Sequence, residues 1–308
     1  MDSDIRGLGW IPDVPSLQDY TLDTESVTHL LAKTSLATRV VESVGAGIPR
    51  RSADKGGAVA LAPAPAAPPA LEPHIDLREF CSPVEDQGSY GSCTANAAVG
   101  LVEYFEKRAF NKYIDASRMF VWKATHDLMG ISGNTGAYIR STMEALVLFG
   151  TPPEEYWQYD AKHFDVEPTA FCYAFAENYK TIKYVRLDPA ILTPAQVLEN
   201  VRMMLNSGFP AMFGFPVYPE FDKPDKDGKI AFPLPTEKSR GGHAICAVGY
   251  DDNMTIGADK GALLVRNSWG ASWGLSGYGW LSYKYVTAGL TADWWTVIKD
   301  KWVDTGLF

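Results

Sequence analysis

The chain has few cysteines, no long apolar run and no basic run. Cys81, Cys93, Cys172 and Cys246 are the only cysteines among 308 residues, too few for a disulfide framework, so stability must come mainly from packing. No stretch approaches the roughly 18 apolar residues that cross a membrane, so we expect no membrane span. With 28 Lys and Arg against 37 Asp and Glu, the net charge is −9. Nucleic acid is therefore not expected as a partner, because little positive charge is available for phosphates.

A secretory signal is also missing. The opening Met1-Asp2-Ser3-Asp4 has neither the positive nor the apolar region of a Sec signal peptide. We therefore expect a cytoplasmic protein or export by a route other than Sec. Apolar residues make up 46% and charged residues 21% of the chain, which is ordinary globular usage and excludes a wholly disordered or coiled-coil chain. The length leaves room for two packed lobes.

Three segments of the chain differ in composition. Residues 1–44 form an N-terminal extension with a Trp-Ile-Pro-Asp-Val-Pro run at 10–15 and a helical pattern over about 24–44. Residues 45–72 are rich in Ala and Pro, which favour an extended, semi-stiff linker. Residues 73–308 contain neither an internal repeat nor a second low-complexity break, so we expect them to form one compact unit.

The compact unit changes character near its middle. Residues 94–110 and 138–149 suit helices, and a further helix is predicted over 196–205. Short apolar runs bounded by Gly, Asp and Asn then predict antiparallel strands. These runs are 244–250, 261–267 and 279–285. The sequence therefore predicts an α+β fold with a mainly helical lobe over 73–180 and a mainly β lobe over 181–308.

Cys93 carries the clearest signal for chemistry. It follows Gly88-Ser89-Tyr90-Gly91-Ser92 and stands at the predicted start of a helix. Free backbone N–H groups there favour the thiolate, which is the nucleophilic form of cysteine. The neighbouring glycines let a carbonyl substrate approach the backbone. The alternative role for a lone cysteine is a buried structural thiol.

Three residues could complete an acyl-transfer site around this cysteine. His243 opens an apolar strand, which fixes its ring on a rigid edge. Asn267 ends the neighbouring predicted strand and could hold the ring in one tautomer, while Trp269 excludes water. Gln87 offers a side-chain NH₂ that could stabilise an oxyanion together with the Cys93 N–H. The alternatives are a satisfied core pair for His243 and Asn267, a loop-solvating amide for Gln87 and a plain core aromatic for Trp269.

The remaining polar motifs receive structural interpretations. His29, His74, His126 and His163 are interpreted as surface or capping residues. Asp225-Lys226-Asp227-Gly228 is interpreted as a polar turn, because it lacks the flanking ligands of a calcium loop. No metal and no organic cofactor is expected.

Taken together, these motifs resemble the papain family of cysteine peptidases. The resemblance rests on Gln-Gly-Ser-Tyr-Gly-Ser-Cys at 87–93, Gly-His-Ala at 242–244 and Asn-Ser-Trp-Gly at 267–270, in that order. His243 lies within the family's usual spacing of about 130–150 residues after the cysteine, and Asn267 lies somewhat beyond it. Gly-Ser-Cys-Thr-Ala-Asn-Ala at 91–97 is similar to a bacterial branch of the family.

The resemblance implies a fold, a mechanism and a binding cleft. The fold has two lobes, one helical and one an antiparallel sheet or barrel, with the active site in the cleft between them. A Cys93 thiolate would attack the carbonyl of a peptide or protein substrate, His243 would act as general acid and base, Asn267 would orient the ring and Gln87 would join the oxyanion hole. The substrate-binding residues it implies are Asn134, Thr135, Gly136, Gly214, Gly242 and Trp269. Because Gly214 leaves the second specificity pocket roomy, we expect bulky apolar or aromatic residues there.

Two departures from the family pattern keep other functions open. Thr94 replaces the aromatic residue that usually follows the nucleophile, and Tyr90 replaces a cysteine, so the family's common disulfide cannot form at that point. The alternatives are a catalytically inactive papain fold used for binding, and an acyltransferase that uses amines instead of water.

The N-terminal extension has three interpretations. It is a disordered tail, a permanent strap, or an inhibitory segment whose Trp10-Ile11-Pro12 region lies over the cleft. We favour the inhibitory segment, because a protease made without a signal peptide needs restraint and a tethered segment binds at high effective concentration.

Overall fold

The N-terminal extension contains one short helix in the computed structural model, which describes residues 6–34, 36, 70–180 and 183–308. Helix α1 (Glu25–Leu31) buries Val27, Leu30 and Leu31. The helix ends at Leu31, and residues 32–34 are not helical. The predicted helix over 24–44 therefore extends too far. The remainder of that prediction and most of the predicted linker lie outside the described residues.

One long helix organises the helical lobe. Helix α2 (Cys93–Phe110) is buried along most of its length, and it ends at Asn111 in the left-handed conformation, with φ of 54°. Helices α3 (Arg118–Met129) and α4 (Ile139–Leu148) pack against α2 and against each other. The sequence predicted α2 and α4 to within one residue at each end, whereas α3 was not predicted.

A single sheet of eight strands lies within the described ranges. The strands are β1 (His74–Asp76), β2 (Lys183–Arg186), β3 (Ala211–Pro216), β4 (Lys229–Ile230), β5 (Gly242–Ile256), β6 (Asp259–Arg266), β7 (Tyr278–Ser282) and β8 (Ala292–Ile298). Their order is β2-β8-β3-β5-β6-β7-β4, and β1 pairs with β5. All strand pairs are antiparallel except β4 with β7. An α+β fold with a helical lobe and a largely antiparallel sheet is thus confirmed.

The strand predictions were incomplete. The predicted strand over 244–250 is part of the longer β5, and β2 and β4 were not predicted. The predicted strand over 279–285 ends at Ser282, because the chain turns at Tyr283 into a one-turn helix. Strand β8 was not predicted at all, although Trp294–Ile298 is an apolar run that the sheet buries.

The remaining helices are α5 (Ala170–Ala176), α6 (Pro194–Asn206), α7 (Pro219–Asp222), α8 (Lys284–Thr287) and α9 (Asp300–Val303). Of these, α6 was predicted, and a Thr193–Gln196 capping box fixes its start.

Both chain ends of the compact unit cross from one lobe to the other. Strand β1 comes from the mainly helical half, yet it pairs with β5 in the sheet. After β8 the chain returns to α2, where Trp302 stacks on Phe105 with ring centroids 4.8 Å apart and Phe308 lies 5.6 Å from the same ring. The lobes are therefore joined at both ends as well as along their interface.

The interface between α2 and β5 positions the site. Residues 243–250 of β5 are all buried, because β3 and β6 flank the strand and α2 packs on one face. At the middle of this contact the Cys246 sulfur lies 3.2 Å from the Ala97 carbonyl oxygen. The first residue of α2, Cys93, and the start of β5 consequently meet at one end of the interface.

His126 and all four cysteines are buried in the structure. His126 is fully buried on α3, with its ring 4.2 Å from that of Trp122. Its interpretation as a surface or capping residue was wrong, because it lies beside Trp122 on a buried part of α3. All four cysteines are buried and free. None of the described helices is long and apolar enough to cross a bilayer.

Candidate active site

Cys93 occupies the first position of α2 and is fully buried. Burial is the largest influence on its thiol and raises the pKa to about 11. The backbone N–H groups of Ala244, Gly9 and Thr94 act in the opposite direction, because they favour the thiolate. The helix start and the edge of β5 thus supply the donors that a thiolate needs, while water is excluded from the sulfur.

His243 and Asn267 are joined by a hydrogen bond between β5 and the end of β6. The distance from His243 Nε2 to Asn267 Oδ1 is 2.8 Å, and the same oxygen accepts the Ser268 N–H at 2.8 Å. An amide oxygen can only accept, so His243 Nε2 carries the proton and Nδ1 has a free lone pair. Nδ1 has no hydrogen-bond partner among the described residues.

Aromatic rings enclose the imidazole. Trp269 stacks on His243 with centroids 4.8 Å apart, and Phe221 meets it edge-on at 5.8 Å. This burial lowers the pKa of His243 to about 4, whereas the hydrogen bond that His243 donates to Asn267 raises it. The histidine is therefore neutral in this arrangement. Trp269 is itself buried and packs against one face of the ring.

The side-chain amide of Gln87 has three hydrogen-bond partners. Its Oε1 accepts from Ser268 Oγ at 2.6 Å, which fixes the amide so that Nε2 points toward the cleft. Nε2 donates to the Gly7 carbonyl at 3.0 Å and to the Tyr90 carbonyl at 2.9 Å. A peptide carbonyl thus already occupies the donor that the sequence assigned to an oxyanion.

The Gly7 carbonyl belongs to a stretch of the N-terminal extension, residues 6–11, which we call the cleft segment. Gly7 N–H donates to Gly88 at 2.9 Å, and Gly9 N–H donates to Gly242 at 3.0 Å. Further along, Ala137 N–H donates to Gly9 at 2.7 Å. The cleft segment therefore forms main-chain hydrogen bonds with both lobes.

Side chains are excluded where the cleft segment crosses the loop before Cys93. A Cβ atom on Gly7 would lie 2.0 Å from the Tyr90 carbonyl oxygen, and one on Gly9 would lie 2.0 Å from that of Gly91. Neither distance is tolerated between real atoms. Only glycine fits at these two positions.

Trp10 fills the pocket beside Gly214. A Cβ on Gly214 would fall 2.0 Å from the indole, so the ring lies flat against the backbone of β3. Its Nε1 donates to Asp293 Oδ2 at 3.0 Å. The Trp10 carbonyl lies against Gly242, where an added Cβ would be 2.2 Å away. Gly214 and Gly242 thus both line the place that Trp10 occupies.

The predicted substrate-binding loop divides into two parts. Asn134 Oδ1 accepts the Gly91 N–H at 2.7 Å, and the Thr135 carbonyl packs against Gly91, so both residues brace the loop before Cys93. Gly136 instead faces the cleft segment, since its Cβ would lie 2.4 Å from the Gly9 carbonyl oxygen. Of the loop, Gly136 and the next residue, Ala137, contact the chain that lies in the cleft.

Sequence reasoning did not assign roles to three residues of this site. Ser268 orients Gln87, and its signal was its place inside the Asn-Ser-Trp-Gly run. Ala137 pairs with the cleft segment, and its signal was its position next to Gly136. Asp293 bonds Trp10 across 283 residues of sequence, so no local pattern connects the two.

This fold and site define a class of protein, and comparison with known proteins agrees. The model of the papain family of cysteine proteases matches residues 71–296. The chain belongs to this family of cysteine peptidases, as the motifs predicted.

Individual relatives come from several groups of organisms. An uncharacterised peptidase C1-like protein of Acanthamoeba polyphaga mimivirus is 37% identical over 218 residues, covering 69% of this chain and 68% of that protein. Rat procathepsin L is 25% identical over 209 residues, covering 66% of this chain and 58% of the procathepsin.

Among solved structures, xylellain, a cysteine protease from Xylella fastidiosa, superposes with a TM-score of 0.69. It is 26% identical, and the match covers 96% of this chain and 97% of xylellain. Bromelain from Ananas comosus, at 18% identity and a TM-score of 0.55, matches 74% of this chain and shares the fold. The likeness to xylellain agrees with the bacterial-type branch that the residues around Cys93 indicated.

Proposed function

We propose that the chain hydrolyses peptide bonds through a Cys93 thioacyl-enzyme and that its own cleft segment restrains it. What supports this proposal is that a peptide segment already lies against the proposed catalytic residues. Its Gly7 carbonyl accepts from Gln87 Nε2 at 3.0 Å. The N–H groups of Gly9 and Ala244 favour the Cys93 thiolate, and His243, which precedes Ala244 in β5, bonds Asn267.

His243 serves as the base. Its hydrogen bond to Asn267 leaves the Nδ1 lone pair free to take the proton of Cys93. The sulfur then attacks the substrate carbonyl carbon and the carbonyl bond becomes a single bond to an oxyanion. The imidazolium returns the proton to the leaving amine, and the thioester remains on Cys93. A water molecule, deprotonated by His243, attacks the thioester and releases the acid and the free thiol.

Gln87 and the start of α2 stabilise the oxyanion. Gln87 Nε2 is aimed at a carbonyl oxygen in the cleft, and Ser268 holds the amide in that orientation. The Cys93 N–H is one of the unpaired donors at the helix start. Fixed donors of this kind act without reorganisation when charge develops.

Restraint follows from the direction of the cleft segment. In the proposed mode of binding, the second substrate residue before the scissile bond enters the pocket at Gly214. Read from its N-terminus to its C-terminus, the substrate chain then runs from Gly214 toward Gln87. The cleft segment places Gly7 at Gln87 and Trp10 at Gly214, so it runs the opposite way. It occupies the site without presenting a bond in the orientation that attack requires.

Anchors beyond the cleft hold the segment in place. Arg140 pairs with Asp13 at 2.6 Å and donates to the Val14 carbonyl at 2.9 Å. Farther along, α1 buries apolar side chains in the main core. Such attachment keeps the segment at a high effective concentration over the site.

Covering the site also changes its charge state. Burial favours a neutral Cys93, whose pKa it raises to about 11, and a neutral His243, whose pKa it lowers to about 4. Water that enters once the segment leaves stabilises the charged thiolate and imidazolium. The segment therefore blocks substrate and also keeps the nucleophile protonated.

The experiment measures hydrolysis of a dipeptidyl coumarin substrate by four full-length proteins: wild type, Trp10→Ala, Cys93→Ala and the double variant. Removing a buried Trp side chain costs about 3–5 kcal/mol, so Trp10→Ala should release the segment and raise turnover at least tenfold. Both Cys93→Ala proteins should lose several orders of magnitude, because the covalent route is gone.

Labelling of Cys93 by an epoxide inhibitor separates the two parts of the proposal. If Trp10→Ala neither hydrolyses peptide nor reacts with the epoxide, the peptidase function is wrong. If wild type and Trp10→Ala react and turn over at the same rate, the restraint is wrong and the peptidase function stands. Product analysis with an added amine distinguishes hydrolysis from acyl transfer.

A further inference from the structure

The pocket that holds Trp10 has a carboxylate at its base. Trp10 Nε1 donates to Asp293 Oδ2 at 3.0 Å, and the Asp13 N–H donates to the same oxygen at 2.9 Å. Asp293 is completely buried. The rest of the indole lies on the glycine backbone of Gly214. An apolar slot therefore ends in a single hydrogen-bond acceptor.

Asp293 is fixed so that its two oxygens have different partners. Oδ1 accepts from Arg186 Nη2 at 2.9 Å, and Arg186 Nε in turn contacts Asp188 at 2.9 Å. Among the described residues, Oδ2 accepts from Trp10 Nε1 and from the Asp13 N–H, and both residues belong to the N-terminal extension. When the extension leaves the cleft, Oδ1 keeps its partner and Oδ2 loses both donors at once.

A buried hydrogen-bond acceptor that loses its donors raises the free energy of the protein unless another donor binds it. A substrate side chain with an N–H at the right depth in the slot supplies that donor. One that offers only hydrocarbon leaves Oδ2 unpaired and binds less well, even if it fills the slot equally. The indole of Trp10 marks both the size of the slot and the position of the donor.

The charges around the pocket favour a neutral donor over a cation. Asp13 and Asp19, which pair with Arg140, belong to the extension and leave with it. Asp293 then remains in an ion-pair cluster with Arg186 and Asp188, and Arg140 and Arg186 both lie over the Trp295 ring. Because Arg186 already neutralises Asp293, this cluster offers no excess negative charge to attract a lysine or arginine.

We propose that Asp293 is a specificity-determining residue and that this pocket selects tryptophan, by its indole N–H, at the second residue before the scissile bond. This inference rests on the proposed peptidase function. It narrows the expectation from Gly214, which called only for a bulky apolar or aromatic residue. Asp293 acts on the substrate side chain and takes no part in proton transfer to or from Cys93.

The test uses full-length Trp10→Ala, which empties the pocket, and two dipeptidyl coumarin substrates. The two substrates differ only at the second residue before the scissile bond. One carries tryptophan there, and the other carries 2-naphthylalanine, a bicyclic residue of similar size without an N–H. We expect kcat/KM to favour tryptophan at least about tenfold, as a hydrogen bond to a charged acceptor supports. Adding Asp293→Asn, which can keep an oxygen toward Arg186 and turn an NH₂ toward the slot, should bring the ratio near one.

The outcomes separate this inference from the peptidase proposal. Hydrolysis of both substrates at equal rates by Trp10→Ala overturns the role of Asp293 and leaves the peptidase function intact. A preference for arginine over tryptophan at the same position also overturns it, and so does a tryptophan preference that survives Asp293→Asn. If neither substrate is cleaved and the epoxide does not label Cys93, the proposed function fails and this inference falls with it. The substrate pair gives its answer without the Asp293 variant, should that variant not fold.

Discussion

The backbones of Gly9 and Gly91 are in direct contact: a Cβ atom on Gly9 would lie 2.0 Å from the Gly91 carbonyl oxygen. Gly91 is two residues from Cys93, and its own N–H is held by Asn134 at 2.7 Å. The loop therefore cannot retreat easily from an added methyl group. The contact makes the fit of the cleft segment depend on the smallest side chain.

This contact predicts that Gly9→Ala displaces the cleft segment. We expect turnover of a short peptide substrate by the full chain to rise at least tenfold, because the clash removes the Gly9 hydrogen bonds to Ala137 and Gly242. Leu17→Ala is the matched control, since Leu17 is fully exposed in the same extension and its truncation should leave the rate unchanged. Equal rates for all three proteins would mean that the segment does not limit turnover.

A second prediction concerns the reactivity of Cys93 toward iodoacetamide. With the segment in place, burial raises the pKa of the thiol to about 11, so alkylation of wild type should become fast only in strongly alkaline solution. Gly9→Ala admits water, while the N–H groups of Ala244 and Thr94 still favour the thiolate. Its alkylation should be faster at pH 7.5 and should reach half of its maximum at a lower pH.

The measurement follows carboxamidomethylation of Cys93 by mass spectrometry across a pH series. Cys93→Ala accounts for reaction at the other cysteines, all of which are buried. Superimposable pH profiles for wild type and Gly9→Ala would contradict the link between the segment and the ionisation of the site.

Gln87 is expected to act on the chemical step. In the Trp10→Ala protein, Gln87→Ala should lower kcat about 10²–10³-fold, the usual cost of losing one oxyanion donor. Ser268→Ala keeps the donor and removes only the 2.6 Å hydrogen bond that orients it, so its loss should be smaller. Steady-state kinetics decides, because an effect of Gln87→Ala confined to KM would assign Gln87 to ground-state binding.

The sequence predicted the parts of this molecule that are local. Helix α2 follows from a proline-free run rich in Ala, Val, Leu and Glu, and the four residues proposed for catalysis each stand in a short motif. Ser268 stands in the Asn-Ser-Trp-Gly run, but its contact with Gln87 joins the two lobes, and neither propensity nor spacing identifies that partner.

Long-range pairing explains the features that sequence reasoning missed. Asp293 is the second residue of β8, and its sequence neighbours do not distinguish it from any other polar residue near a strand end. Its role depends on Trp10, 283 residues away. His126 was misassigned for a related reason. It contacts Trp122 one turn earlier on α3, and Trp122 stacks on Phe164, a residue outside the helix. A sequence gives the period of a helix more readily than the partners of each face.

The last prediction concerns stability and a carboxyl group far from the cleft chemistry. Glu103 lies inside α2, where burial raises its pKa to about 7 despite hydrogen bonds from Ser82 and the Ala116 N–H. In the unfolded chain the pKa of a glutamate is about 4.3. Because the folded-state pKa is the higher one, this group contributes its full stabilisation below about pH 4 and loses it as the pH rises through about 7.

We therefore expect the free energy of unfolding of wild type to fall relative to Glu103→Gln as the pH rises from 5 to 8. The difference between the folded-state and unfolded-state pKa values of Glu103 changes the free energy of unfolding by at most about 3–4 kcal/mol. Urea unfolding of both proteins at four pH values measures the difference, and other titrating groups cancel because the two chains share them. Glu155→Gln, which changes an exposed carboxyl, serves as the control and should track wild type. A wild-type to Glu103→Gln difference that stays constant from pH 5 to 8 would show that Glu103 remains ionised in the folded protein, with Arg266, whose positive charge lowers the Glu103 pKa, outweighing burial.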